Sequence, residues 1–567
     1  MPNHSSIHLL AKLEECKHHF GRGEGRRVEE MLAKLSQSHF TDAPSLIRFH
    51  EAVLFLRAFP QTPRVISRTE ELLKTFHERV EELRSRGADL SAFDTFESSG
   101  IAGTTMQDTL SLDVVRWLAR RIPRDVKIDW QDYEEERAMA STWPRFLPLL
   151  DEDAFVEANI PWQRWLDSAS GSQSQLEWLI RRFEQLPLAE REKAELYDSL
   201  RLPVSWQLRD LKLSRTRNWI RPRSIYYHTE PLISRRQVDL AHALSQPGPA
   251  ITKLTLNRGK AVVDLIREVM VVRYRELYGT TLGDPRSMVR AEVGRGVVIH
   301  LWNLPPERRL PLRAYIAGFT LKNGVPINYI EAIGLCEWIE VGFNTFYTYR
   351  NGETAWIYAQ ALRCLVQLTG ARYISVYPYQ LGQENDEAIE SGAFWFYRKL
   401  GFRPGTRELL RLAELEERQM AKNPRHRSTR RTLRRLAEGH VFYELHNAEP
   451  EAWDRFSTRN LGLLVNRRMA QQFGGESRRI RESSVVSVRK ALGASLGGWS
   501  KTEQKAFEDW ALVLALIPDL KDWSRSEKQE LLKIVRAKAA RDEMRYLHLT
   551  QKHPRLRREL LKLGSQA

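Results

Sequence analysis

Cysteine is scarce: Cys16, Cys336 and Cys364 are the only three in a chain of 567 residues. So few exclude a disulfide framework and a multi-cysteine zinc centre. The one local cluster, Cys16 with His18 and His19, is too cramped for a closed zinc site and has no second half, so no metal is expected. Long apolar runs are missing too. Nothing approaches the ~18 consecutive apolar residues of a membrane span. The longest clean run, residues 511–517, lies between Trp510 and Pro518 and suits a buried helix. The first 20 residues hold no apolar stretch followed by a small-residue cleavage site, which argues against a signal peptide. The expectation is a cytoplasmic protein with no membrane partner. No fixed repeat period is present. The stretch SSGIAGTT at 98–105 lacks the Gly-Lys-Ser/Thr of a P-loop and reads as a plain loop.

Material for cores is plentiful. Hydrophobic residues make up 42% and aromatics 10% of the chain, with sixteen Trp, which excludes global disorder. The length suggests two to four domains. The net charge is +16, and it is unevenly placed: residues 1–400 sum to +2 and residues 401–567 to +14. A basic final third on a near-neutral body suggests a nucleic acid or other polyanion as its partner, or else a solvated Arg-rich helical surface.

Hydrophobic period divides the chain into three parts, 1–245, 246–446 and 447–567. The first is mostly helical, with helices expected at 45–58, 70–86, 112–121, 175–186 and 189–200. Asp42 and Pro44 mark the start of the first. The stretch LSQPGPA at 244–250 reads as a linker. The middle part mixes types. Strands are expected at 251–256, 297–302, 312–321, 325–333, 338–349, 372–377 and 440–445, with helices at 259–278, 353–368 and 386–400. Asn323-Gly324 is a strong hairpin turn signal. The last part is basic and helical, and capping boxes at Ser500/Glu503 and Ser524/Glu527 indicate that it folds. The fold class is therefore α+β: a central mixed sheet with helices, flanked by mostly helical regions.

The informative stretch is 324–404. It runs strand, Arg-Asn-Gly turn, helix, strand, and then NDEAIESGAFWFYRKLGF at 385–402. This order resembles the GNAT superfamily of N-acyltransferases, in which a loop of the form Q/R-x-x-G-x-G/A opens a helix and holds the coenzyme A pyrophosphate. Asn385, Ala388 and Ile389 match the family's N-x-x-A segment; Tyr397, Lys399, Leu400, Gly401 and Phe402 match its closing Y-x-K-x-G-F. The specific match covers about 80 residues, and a looser match of strand order extends over roughly 251–446. The resemblance implies acetyl-CoA as acyl donor, an amine as acceptor, and a coenzyme site at Arg350, Asn351, Gly352, Thr354, Ala355 and Asn385. Free N–H groups and the positive end of a helix dipole favour a diphosphate there. Two departures stand out. The family's central glycine falls on Glu353, whose carboxylate would repel a pyrophosphate if it faced one. Asn385 and Tyr397 are also twelve residues apart where the family has about seven.

Acyl transfer to an amine needs a base for the ammonium and an acid for the leaving thiolate. The resemblance puts the acid at Tyr397. Glu331, Glu337 and Glu340 lie on or beside the strand before the loop, where the family often carries its base, and all three stay open. Cys336 and Cys364 read as buried small residues. Gly493, Ser495 and Gly497 satisfy G-x-S-x-G, but too little chain follows for an α/β-hydrolase, so an interhelical turn is expected. Arg427, Arg430, Arg431, Arg434 and Arg435 would form a guanidinium stripe if 422–435 were helical. Two other readings share these features: a GNAT-fold transferase using aminoacyl-tRNA, and a non-catalytic nucleic-acid-binding or scaffold protein with a degenerate core.

Overall fold

The computed structural model describes residues 4–147, 160–208, 213–446 and 448–566. They form two compact units, one of residues 1–231 with 262–281, the other of 232–261 with 282–567. The class is α+β, with helices flanking two sheets.

The first unit opens with helices His4–Cys16, Glu24–Ser36, Ala43–Ala58, Pro63–Lys74 and Phe76–Ser85. Two of these starts have polar caps: Asp42 accepts from the Ser45 N–H at 2.8 Å and Thr62 from that of Val65 at 3.3 Å. Leu10, Leu32, Phe49, Leu56, Leu73 and Val80 fill the core between them. The helix expected over 70–86 is two helices, because Thr75 leaves helical geometry at φ −108°, ψ 11°. A three-stranded antiparallel sheet that the apolar period does not reveal follows: β1 (Thr105–Thr109), β2 (Val126–Ile128) and β3 (Pro203–Gln207), in the order β1-β3-β2. Trp143, Trp178 and Trp206 are buried in the core that includes it.

The second unit is built on a nine-stranded sheet. Its strands are β4 (Ile251–Lys253), β5 (Val289–Gly294), β6 (Val297–Asn303), β7 (Ala314–Lys322), β8 (Val325–Leu335), β9 (Trp338–Thr345), β10 (Tyr373–Val376), β11 (Arg403–Pro404) and β12 (Val441–Glu444). Spatial order is β11-β12-β10-β9-β8-β7-β6-β5-β4. The β7–β8 hairpin turns through Asn323 and Gly324 at φ 48° and 78°, the two left-handed residues that such a tight turn requires. All neighbours are antiparallel except β9 and β10, which run parallel and are joined by helix Thr354–Thr369. Both capping boxes form, at Ser500/Glu503 and Ser524/Glu527. The expected helix over 386–400 is broken at Gly392, whose φ of 67° ends one short helix and starts the next.

The C-terminal helices belong to this same unit and are fastened to the sheet by polar anchors. Arg309 donates from Nη1 to the Lys538 carbonyl at 2.6 Å, and Gln551 donates to the carbonyls of Cys336 at 3.0 Å and Thr369 at 2.7 Å. Gly493 caps helix Ser477–Leu492 in the left-handed region, so G-x-S-x-G is an interhelical turn here. Among the described residues no helix is long and apolar enough to cross a membrane.

Candidate active site

The parallel pair β9/β10 positions the site. Pairing runs only from Trp338↔Tyr373 to Glu340↔Ser375, whereas β9 continues to Thr345. β10 ends at Val376, so beyond Glu340 that edge of β9 has no strand partner. The gap lies where β10 ends, the usual place for a ligand in a sheet with parallel strands. Gly342 lies in the part of β9 beyond this pairing, and a Cβ there would stand 3.5 Å from Nε2 of Gln380, so this carboxamide sits over the glycine.

Alternation along β9 sends its odd and even residues to opposite faces. Phe343 packs edge-on against Tyr358 of helix Thr354–Thr369 at 4.9 Å. Trp338 stacks on Trp453 on the other face, and Glu340 opens there into a cavity of about 400 Å³. That cavity is lined by polar and aromatic groups, among them Arg313, Trp338, Tyr377, His440 and Arg459. One oxygen of Glu340 is 3.0 Å from His440 Nε2, and the other is 3.6 Å from Arg313. The His440 ring lies edge-on to Tyr377 at 5.3 Å, and the Tyr377 hydroxyl accepts from Arg459 at 2.6 Å. A carboxylate coupled to an imidazole at the wall of a solvent-reachable cavity is suited to moving a proton.

The other two carboxylates are placed differently. Glu337 is 1% exposed and accepts from Arg557 Nε at 2.5 Å and Trp453 Nε1 at 3.0 Å, bonds that anchor the C-terminal helices. Glu331, on β8, accepts from the Tyr315 hydroxyl, and burial raises its carboxyl above the usual range. Neither lines the cavity. Of the three, Glu340 alone does.

The segment 350–355 runs into the N-terminus of helix Thr354–Thr369, which has no side-chain cap. Arg350 lies over the Tyr347 ring at 3.8 Å, pairs with Glu387 and donates Nε to the Thr345 carbonyl at 3.1 Å. The Gly352 N–H bonds the Tyr349 carbonyl at 2.9 Å, the Thr354 hydroxyl bonds that of Arg350 at 3.1 Å, Asn351 is exposed, and Ala355 is buried. Glu353 does not face outward. Its carboxylate is fully buried and held by Arg295 at 2.5 Å, by the Ile233 N–H at 3.2 Å and by Lys322 at 3.4 Å. Arg295 and Lys322 hold this carboxylate inward, away from the loop surface, so the repulsion expected from Glu353 does not arise. Desolvation lowers the Lys322 ammonium to about 7.

Asn385 caps the helix Asp386–Ser391, accepting from the Ala388 N–H at 3.2 Å and donating to the Tyr379 carbonyl at 3.1 Å. Tyr397 is 4% exposed, packed among Tyr358, Phe396 and Phe402, and burial raises its hydroxyl well above the ordinary range. Through Tyr358 it belongs to the face opposite Glu340, so it does not line the cavity. The Tyr358 hydroxyl beside it is buried without a hydrogen bond.

Only residues Arg430–Leu436 of the basic segment are helical, which takes Arg427 off the expected stripe. Arg430 and Arg434 pair with Asp386, and Arg435 pairs with Glu408. Much of this charge is thus met by exposed carboxylates within the unit. His440, Tyr377, Arg313, Gln380 and Arg459 were not foreseen from the sequence; an isolated His one residue before a short strand carries no local signal. No protein-family model, no curated protein and no solved structure matches the chain.

Proposed function

We propose that the second unit carries a GNAT-like core, within about 251–446 but without residues 262–281, which belong to the first unit, and catalyses acyl transfer, most simply of acetyl from acetyl-CoA to a primary amine. The observation that carries this reading is the parallel β9/β10 pair, which is joined by a helix and whose pairing stops at Glu340 and Ser375 while β9 runs on to Thr345. A thioester arm lying in the gap would keep its diphosphate at the 350–355 loop, over the helix N-terminus. The amine would enter from the cavity. Glu340, through or with His440, would take the ammonium proton, and the freed lone pair would attack the thioester carbonyl. Collapse of the tetrahedral adduct forms the amide and expels the thiolate, which takes up one proton.

The inward Glu353 also removes the main reason to prefer aminoacyl-tRNA over a coenzyme. Supporting evidence would come from thiol release from acetyl-CoA with a panel of amines. Amine-dependent release supports the reading, and its absence across the panel at saturating donor argues against it.

Tyr397 is kept as the acid on the family resemblance; its hydroxyl lies on the face opposite Glu340, so the thioester sulfur would have to reach that face for the proton to pass. Tyr397→Phe keeps the ring among its aromatic neighbours. We expect near-normal folding and donor affinity, with turnover lowered at least ~10-fold, the lower end of general-acid effects. Full turnover in the Phe variant removes Tyr397 from the mechanism.

A further inference from the structure

In the first unit, helix His4–Cys16 ends at its only cysteine, and the chain reverses through Gly21 and Gly23, at φ 144° and 92°, to begin helix Glu24–Ser36. Only residues tolerant of positive φ allow so abrupt a return at Gly23. The reversal brings Cys16 Sγ, a ring nitrogen of His19 and a carboxylate oxygen of Glu24 within 4.8 Å of one another. Read along the sequence, Cys16 and the two histidines lack a further ligand; the fold supplies one from the next helix.

We propose that Cys16, His19 and Glu24 form a binding site for a divalent metal ion of the zinc class. The thiol is buried and the imidazole is exposed, so the site is anchored on one side and reachable from solvent on the other. The Glu24 side chain is 30% exposed, but its Oε2 is shielded and has no hydrogen-bond partner; Arg27 is 4.0 Å away. That oxygen is free to take a metal as its partner. Metal–ligand bonds of about 2.0–2.3 Å bring tetrahedral donors to roughly 3.3–3.7 Å apart, so a rotation of the exposed imidazole and a small shift of the carboxylate close the set. One sulfur, one nitrogen and one oxygen donor suit Zn²⁺ better than Mg²⁺ or Ca²⁺. Binding replaces the thiol proton, which leaves to solvent, and the fourth position is open to water. The ion would tie the end of the first helix to the start of the second.

The test uses the full chain, stripped with chelator under reducing conditions, and titrated with Co²⁺ as a spectroscopic probe and then Zn²⁺. The expected result is a thiolate-to-cobalt charge-transfer band that saturates at one equivalent, is displaced by Zn²⁺, and is accompanied by a higher melting temperature. Cys16→Ser should abolish the band, and the exposed His19→Ala, which leaves the buried packing alone, should weaken binding at least ~10-fold. Cys364→Ser should keep the band. Absence of a charge-transfer band in the unsubstituted protein, or a band unchanged by both Cys16→Ser and His19→Ala, overturns the assignment.

Discussion

Glu340→Gln is expected to leave the protein folded and the acyl donor bound while turnover falls by about 10²–10⁴, the usual worth of a positioned general base. The carboxamide keeps the shape of the side chain and an oxygen acceptor for His440, now 3.0 Å from Glu340. The lost pairing with Arg313 is a long contact, 3.6 Å, between partly buried groups, and the carboxamide oxygen can still accept from the guanidinium. Stability should therefore change little, and the loss should appear in kcat. Donor titration by calorimetry separates the two effects. If the Gln variant turns over at the unsubstituted rate, the base is elsewhere.

The second large effect is on stability. Glu353→Ala leaves Lys322, which is fully buried, and Arg295, 20% exposed, without their shared carboxylate. Breaking a buried ion cluster by removing one partner typically costs about 3–5 kcal/mol. The double variant Glu353→Ala/Lys322→Met should recover much of that, because an apolar pair removes both the charge and its need for a partner. The cluster also sets a pH dependence. Lys322 titrates near 7 in the native state and at 10.5 in the unfolded chain. Between those values the unfolded chain binds the extra proton, so stability attributable to this group rises as pH increases from about 7 toward 10.5. Below 7 both states are protonated and the contribution is flat. Denaturant titrations across that range should show the slope in the native protein and lose it in Lys322→Met. An unchanged slope in the variant would assign it to other groups.

How much of this was legible depends on how local each cause is. The Asn323-Gly324 turn and both capping boxes need only neighbouring residues, and all three formed as expected. Strand β1, with the sequence TMQDT, gives no apolar alternation, and β3 begins with proline; both belong to a sheet held by register with each other and were missed. In the candidate site the strand, loop and helix were visible, but the orientation of Glu353 was not. Its partners Arg295 and Lys322 lie 58 and 31 residues earlier and meet it only through the sheet. His440 lies 100 residues from Glu340 and reaches it because β12 pairs with β10. Conversely, Tyr397 sits on a motif read without difficulty, yet its side chain is enclosed by rings from three other positions. A sequence pattern names the residue types of such a site, and long-range pairing decides which of them meet.

The central claim is that the 350–355 loop and the gap between β9 and β10 receive an acyl-CoA. Its most direct test is calorimetric titration of acetyl-CoA into the full chain, beside Gly352→Asp, which adds a negative charge and a side chain next to the helix N-terminus. The account predicts saturable one-to-one binding that the Asp variant weakens at least ~10-fold, since an opposing charge at a helix N-terminus and a blocked backbone approach act together. No measurable binding at millimolar acetyl-CoA, or equal affinity in the two proteins, would contradict it.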